Sequence, residues 1–253
     1  MRKRLLATAM LLMAAAVVLA GSAGAATVRV GTLVLHADGG FAPRVLPKHA
    51  FAPIHFQGYG EIKTTDGSMP PALEHVKLEF DHDGRLTTTG LAACQPSSIE
   101  GTSPDLARRR CGAAIVGKGH ISAKVDLAIA RIDLSSPLTL FNGPRQNGNA
   151  TVIAHAQAPF PVSETYVIVI PIERRHGTFG YRASFDIPPI AAGLGSLTRI
   201  DARIGRRYRV GGASRSYVSA RCSDYVLQTQ GYFSFSDGNI VYGSVFKSCR
   251  PEG

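Results

Sequence analysis

From Ala26 onward, apolar and polar residues alternate with period two, and the alternation stops repeatedly at Gly, Asn, Asp or Pro. An amphipathic helix needs a repeat near 3.6, so this pattern specifies half-buried antiparallel strands joined by tight turns. In "EHVKLEF", Val76, Leu78 and Phe80 take one face while His75, Lys77 and Glu79 take the other. "SLTRIDARIGRRYRV" likewise sets Ile200, Ala202 and Ile204 against Arg199, Asp201 and Arg203. "YVIVIPIE" differs, being apolar on both faces from Tyr166 to Ile170, which marks an interior strand whose far end is set by Pro171. Further strands are predicted near 53–64, 86–92, 114–125, 136–141, 150–156, 178–186, 214–221, 231–236 and 240–247, with "TVRVGTLVLHA" an edge strand or a loose arm. About a dozen strands twist too much to stay in one flat sheet. The expected fold is all-β, a two-layer antiparallel sandwich of the jelly-roll kind, with a barrel as the alternative.

One helical turn interrupts the pattern in "GTSPDLARRRCG". Ser103 suits the cap, Pro104 the first helical position, Asp105 the positive end and Arg108 to Arg110 the negative end. The helix lies between Cys94 and Cys111. The remaining cysteines are Cys222 and Cys249, and an even number in an exported chain implies disulfides. Pairing of Cys94 with Cys111 and of Cys222 with Cys249 closes two short loops. A zinc site is disfavoured, because no Cys-x-x-Cys or matching His spacing occurs.

Export itself is read from the N-terminus. Arg2, Lys3 and Arg4 precede an apolar run from Leu5 to Ala20, and Ala23-Gly24-Ala25 supplies a small-residue cleavage site. A leader over 1–25 and a single secreted domain over 26–253 follow, with no membrane span left after cleavage. Loss of those three basic residues takes the 28 Lys and Arg to 25 against 18 acids, a balance near +7. A basic exported protein suits anionic envelope or extracellular polymers and suits nucleic acid poorly.

"EFDHDGRLTTTG" is the densest cluster of ligand-type side chains. Asp81, His82 and Asp83 precede Gly84, but Arg85 follows and the closing carboxylate of a calcium loop is absent. Asp-Gly recurs at 38–39, 66–67 and 237–238, so the stretch reads as a turn and no metal is expected. Asn147-Gly148 reads as a hairpin tip. The histidines have no metal spacing; His75 and His82 are candidates for close approach, and His155, among Val152, Ala154 and Ala156, for an interior position. No Gly-x-Ser-x-Gly elbow or phosphate loop occurs, and no catalytic residue or cofactor is assigned. A carboxylate pair among Glu61, Glu74, Glu79, Asp81 and Asp83 keeps an extracellular carbohydrate hydrolase as the alternative function.

Arginines crowd the stretch that runs from Arg199 to Arg221. Arg199, Arg203, Arg207 and Arg209 share one parity, with Tyr208 and Tyr217 as nearby aromatic surface. The leading expectation is therefore a binding or structural module at the cell exterior, contacting an anionic polymer through this strand face.

The motifs "LTLFNG", "TVIAHA", "RRHGTFGYRASFDIP", "GRRYRVGGASRSYVSARC" and "FKSC" resemble a family of uncharacterised secreted bacterial proteins of all-β type. The resemblance runs from about Ala52 to Cys249 and includes "GRLTTTGLAAC", which fits Cys94 and Cys111 as paired features. It implies a self-contained exported domain, and it carries no activity, ligand or catalytic residue onto these positions.

Overall fold

The computed structural model describes residues 24–252 apart from 128 and 159–162, so the expected leader lies outside the described residues except for its last two positions. The chain forms β1 (Ala26–Val30), β2 (Leu33–Ala42), β3 (Val45–Pro47), β4 (Ala52–Pro53), β5 (His55–Thr64), β6 (Leu73–Asp81) and β7 (Gly84–Leu86). Helix α1 (Pro104–Cys111) separates these from β8 (Ile115–Leu127), β9 (Ala130–Gln146), β10 (Asn149–Ala158), β11 (Glu164–Arg174) and β12 (Phe179–Asp186). The last part holds β13 (Gly195–Ile204), β14 (Arg207–Val210), β15 (Ala213–Ser216), β16 (Val218–Ala220), β17 (Val226–Phe235), β18 (Ile240–Ser248) and β19 (Arg250–Glu252). The all-β expectation holds.

Twelve strands form one sheet in the order β1-β2-β5-β13-β8-β9-β10-β11-β12-β6-β17-β18. Its two edges come together, β18 lying against β1 and β2, so the sheet curls into a near-barrel. This corrects the two-layer sandwich: the twist is relieved by rolling the sheet around rather than by splitting it. Along the seam the edges are held by side chains. Lys247 Nζ lies 2.7 Å from Asp38 Oδ1, and Arg44 Nη1 donates to the Ser248 carbonyl at 3.0 Å. Gly243 suits the close approach, since a Cβ there would already touch Ala26 and Val28 at 3.4 Å.

Several local predictions need correction. Asp38-Gly39 lies inside β2 instead of at a turn. The predicted strand 86–92 ends at Leu86, where β7 leaves the large sheet to pair with β16. The long arginine strand breaks at Gly205-Arg206 into β13 and the separate β14–β15 hairpin. Pro171 does not end β11, which continues to Arg174. The Asn147-Gly148 tip does form, with φ of 49° and 79°, the left-handed pair a two-residue hairpin requires.

Both disulfides form with the predicted pairing, Cys94–Cys111 and Cys222–Cys249. α1 is capped as expected, Leu106 N–H donating to Ser103 Oγ at 3.3 Å. The bridged excursion packs on the outside of the wall, where Ile99, Ala107 and Cys111 meet Phe141, Ile153, Val167 and Val169. This explains why β11 is apolar on both faces: one face meets the excursion and the other the barrel interior.

Candidate functional site

Interior positions of the large sheet are not close-packed. One end of the barrel is closed by Leu33, Leu73, Phe235 and Val241 with Ile187 and Ile190, and the other by Phe41, Leu46, Ile54 and Ala220 around the Cys222–Cys249 bridge. Between them lies a cavity of about 480 Å³. Its wall includes Phe56, Leu78, Ile121, Ala154, Ile168, Ile170, Phe185, Ala202 and Phe233. All of these are only half buried, although they belong to the inward-facing apolar set. Even Ile200, 38% exposed on an interior strand, lines this cavity. Close-packed cores leave few voids larger than one water, so the size sets this interior apart.

The wall splits beside the cavity. β11 and β12 share only three rungs, Ile172 with Ala183 through Arg174 with Tyr181. Beyond Ile172 the strands separate, and Ile168 and Ile170 on one side and Phe185 and Ile187 on the other border the space. Tyr166 spans this gap: its hydroxyl donates to the Glu164 carboxylate and accepts from Ala191 N–H at 3.1 Å. Burial, reinforced by the Glu164 charge, pushes the Tyr166 hydroxyl up to about 12, so it remains a donor at neutral pH.

The six residues assigned to an anion-binding face do not stay together. Arg199 and Arg203 are exposed on β13, with the Arg199 guanidinium 4.9 Å from the centre of the Tyr59 ring. Arg207 and Arg209 are exposed on β14, in a different sheet. Tyr208 turns inward enough to donate to the carbonyls of Thr87 at 3.1 Å and Thr89 at 3.2 Å. Tyr217 is corrected outright. It is fully buried among Val116, Leu138, Leu140 and Val152, because the strand breaks between β15 and β16 and reverses its side. Burial raises its hydroxyl far above the ordinary tyrosine value.

Asp81, His82 and Asp83 do come together, each offering one ligand atom within 4.8 Å of the others. Their oxygens are already engaged. Asp83 accepts from Arg221 Nε at 2.6 Å and from Ser223 N–H at 2.7 Å, while Asp81 accepts from Asp83 N–H at 2.8 Å and Gln228 N–H at 3.0 Å. The Arg221 guanidinium supplies the positive charge that a cation would bring, so the cluster acts as a knot tying β6 to the segment after β16. It is a turn as predicted, but one that redirects the chain out of the large sheet. His75 and His82 sit at opposite ends of β6 and are not brought together. His155 is fully buried under α1, its Nε2 within 3.1 Å of the Thr102 carbonyl. Burial lowers its proton affinity, which keeps the ring neutral.

Of the other carboxylates weighed for glycoside hydrolysis, Glu79 is bound through one oxygen to Arg182 Nε and Nη2, and Glu61 pairs with Lys63. The cavity was missed in the sequence. The one signal was the excess of inward Ala and Gly, Ala154, Ala202, Gly58 and Gly60 among them, which leave room that Leu or Phe would fill.

No family model matches the chain, and no curated protein matches it. Among solved structures it is similar to the one described as "AvmM Catalyzes Macrocyclization in Alchivemycin A Biosynthesis", at 7% identity over 91% of this chain and 99% of that one. The TM-score of 0.26 is too low for the likeness to bear on fold or activity. Among the described residues, no helix is long and apolar enough to cross a membrane.

Proposed function

We propose that this protein is exported and acts outside the reducing cytosol as a binding protein whose ligand is an apolar small molecule held inside the barrel. The single observation behind this reading is the cavity of about 480 Å³ with its aliphatic and aromatic wall. That volume falls in the range of ligand pockets, roughly 300–1,000 Å³. Water filling it would find few polar partners on this wall. Displacing such water is favourable for an apolar guest. The split between β11 and β12, bridged by Tyr166, is the natural entrance.

Ala154 tests the reading, since it faces the cavity from β10. Wild-type protein should bind the neutral fluorescent probe N-phenyl-1-naphthylamine saturably at one site. Ala154→Phe should weaken that binding by about tenfold or more without lowering the thermal midpoint, because the ring fills existing space. Unchanged affinity in the variant, or no binding by the wild type, defeats the proposal.

The anionic-polymer reading keeps one supporting observation. Arg203, Arg207 and Arg209 are exposed, and none forms an ion pair among the described residues. Retention on an acidic polysaccharide column that disappears both at high salt and in the Arg207→Glu/Arg209→Glu variant is the outcome expected of it. Equal retention of the variant removes it.

A further inference from the structure

The outer surface of the wall, on the side away from the cavity, carries a grouping of its own. Ser184 and Asp186 are two residues apart on β12 and therefore share a face. Register sets His75 of β6 opposite Asp186, and Lys77 opposite Ser184. His75 consequently reaches both. Its Nε2 lies 2.9 Å from Ser184 Oγ, and its Nδ1 lies 2.7 Å from Asp186 Oδ1. These distances use the two ring nitrogens in the order of nucleophile, base and orienting carboxylate. We propose that Ser184, His75 and Asp186 form an acyl-transfer site for small carboxylic esters.

With Nδ1 protonated and donating to Asp186, Nε2 is left to accept the Ser184 proton. The His75 side chain is 40% exposed, so a substrate can reach the pair. Ser184 Oγ attacks the ester carbonyl carbon and its proton passes to His75 Nε2, while the carbonyl π pair moves onto oxygen. The tetrahedral adduct collapses and expels the alcohol, which takes the proton back from His75. Water then attacks the acyl group on Ser184 with the same base, releasing the acid and restoring the serine. The net change is ester plus water to acid plus alcohol.

β6 is laddered on both sides, to β12 and to β17, so its backbone N–H groups are not free to meet the oxyanion. Lys77 is the cross-strand neighbour of Ser184, and its ammonium sits 3.7 Å above the Tyr232 ring on the β17 side, from which it would swing back to meet the oxyanion. Tyr232 stacks on Tyr242 with centroids 6.0 Å apart, and Tyr242 is 64% exposed. Serine, lysine and the two tyrosines thus form one row across β12, β6, β17 and β18. The row selects esters with an aromatic or apolar arm that lies on the tyrosines. An open sheet face admits water, so the gain belongs at the low end of the roughly 10²–10⁴-fold that a positioned base supplies.

The test is direct. Purified protein treated with a fluorophosphonate should gain one adduct, mapped by tandem mass spectrometry to Ser184. It should also hydrolyse 4-nitrophenyl acetate with a rate that rises as one imidazole loses its proton. Ser184→Ala should remove the adduct and reduce hydrolysis by about a hundredfold, and His75→Gln should do the same while flattening the pH profile. A Ser184→Cys variant guards against trivial loss of fold: iodoacetamide should alkylate its thiol faster than that of Ser184→Cys/His75→Gln. Absence of an adduct, an adduct elsewhere, hydrolysis that survives Ser184→Ala, or equal alkylation rates overturns the proposal. None of these outcomes depends on the cavity.

Discussion

Replacing Asp83 by alanine is expected to lower the unfolding free energy by about 3–5 kcal/mol, the cost of removing one partner from a buried ion pair. Asp83 is fully buried and meets Arg221 Nε and the Ser223 N–H. Without it, a guanidinium with a side chain only 31% exposed and a backbone donor both lose their acceptor. Urea unfolding followed by circular dichroism measures the loss, and a change under about 1 kcal/mol contradicts the account. The neighbouring carboxyls also give opposite pH signatures. Burial pushes Asp83 up, but the hydrogen bonds from Ser223 and Arg221 outweigh it and hold the carboxyl below its usual value. Its contribution is therefore complete above the unfolded value of about 3.9 and is lost as pH falls through the lower folded value. Burial pushes Asp81 up, and the N–H donations from Asp83 and Gln228 do not cancel it. Folding thus favours protonation of Asp81 relative to the unfolded chain, and that contribution disappears as pH rises above about 3.9 through the folded value. Asp83→Ala should flatten the acid limb of the stability profile below that pH, and Asp81→Asn the slope just above it.

Removing either disulfide should cost about 3 kcal/mol through the freedom restored to the unfolded chain, slightly more for Cys222–Cys249, whose partners are 27 residues apart, than for Cys94–Cys111, 17 apart. Cys222→Ala/Cys249→Ala should lower the thermal midpoint by about 10 °C, since each kcal/mol is worth roughly 2–4 °C at this size. The two losses should differ in reach. Cys222 and Cys249 anchor the plug at one barrel end, where Cys222 N–H also donates to the Pro47 carbonyl and Cys249 N–H to the Tyr225 carbonyl. Their removal should weaken protection from hydrogen exchange across β17 and β18. Cys94→Ala/Cys111→Ala releases the excursion that covers Ile153, Val167 and Val169, so the exchange it adds should be concentrated in α1 and the outer faces of β10 and β11. Equal exchange patterns in the two variants contradict this division.

The α1 cap, the Asn147-Gly148 tip and both disulfide pairs were read correctly because each depends on residues within about thirty positions of one another. The strand predicted over 86–92 failed because Thr87 to Thr89 are used to hold other parts of the chain, the Thr87 and Thr89 carbonyls accepting from Tyr208 and the Thr88 hydroxyl from Arg145. Tyr217 was misplaced because it is itself the residue between β15 and β16, where the alternation breaks and its side chain turns inward. The Ser184, His75 and Asp186 grouping joins positions more than a hundred residues apart in sequence, and "SFD" and "EHV" signal nothing until β12 lies beside β6.

By itself the amino-acid sequence determined that this chain is built of strands, which side chains share a face within a strand, where several of the tight turns fall and, by short loop closure, which cysteine pairing is favoured. Only the tertiary structure decided that the sheet rolls up instead of stacking in two layers, that its interior keeps a hollow, and that a histidine stands between a serine and an aspartate on its outer wall. The physical reason is that alternation with period two specifies a side for every residue but says nothing of what lies across from it. That depends on strand order, register and twist, which are set by contacts between segments far apart in the chain.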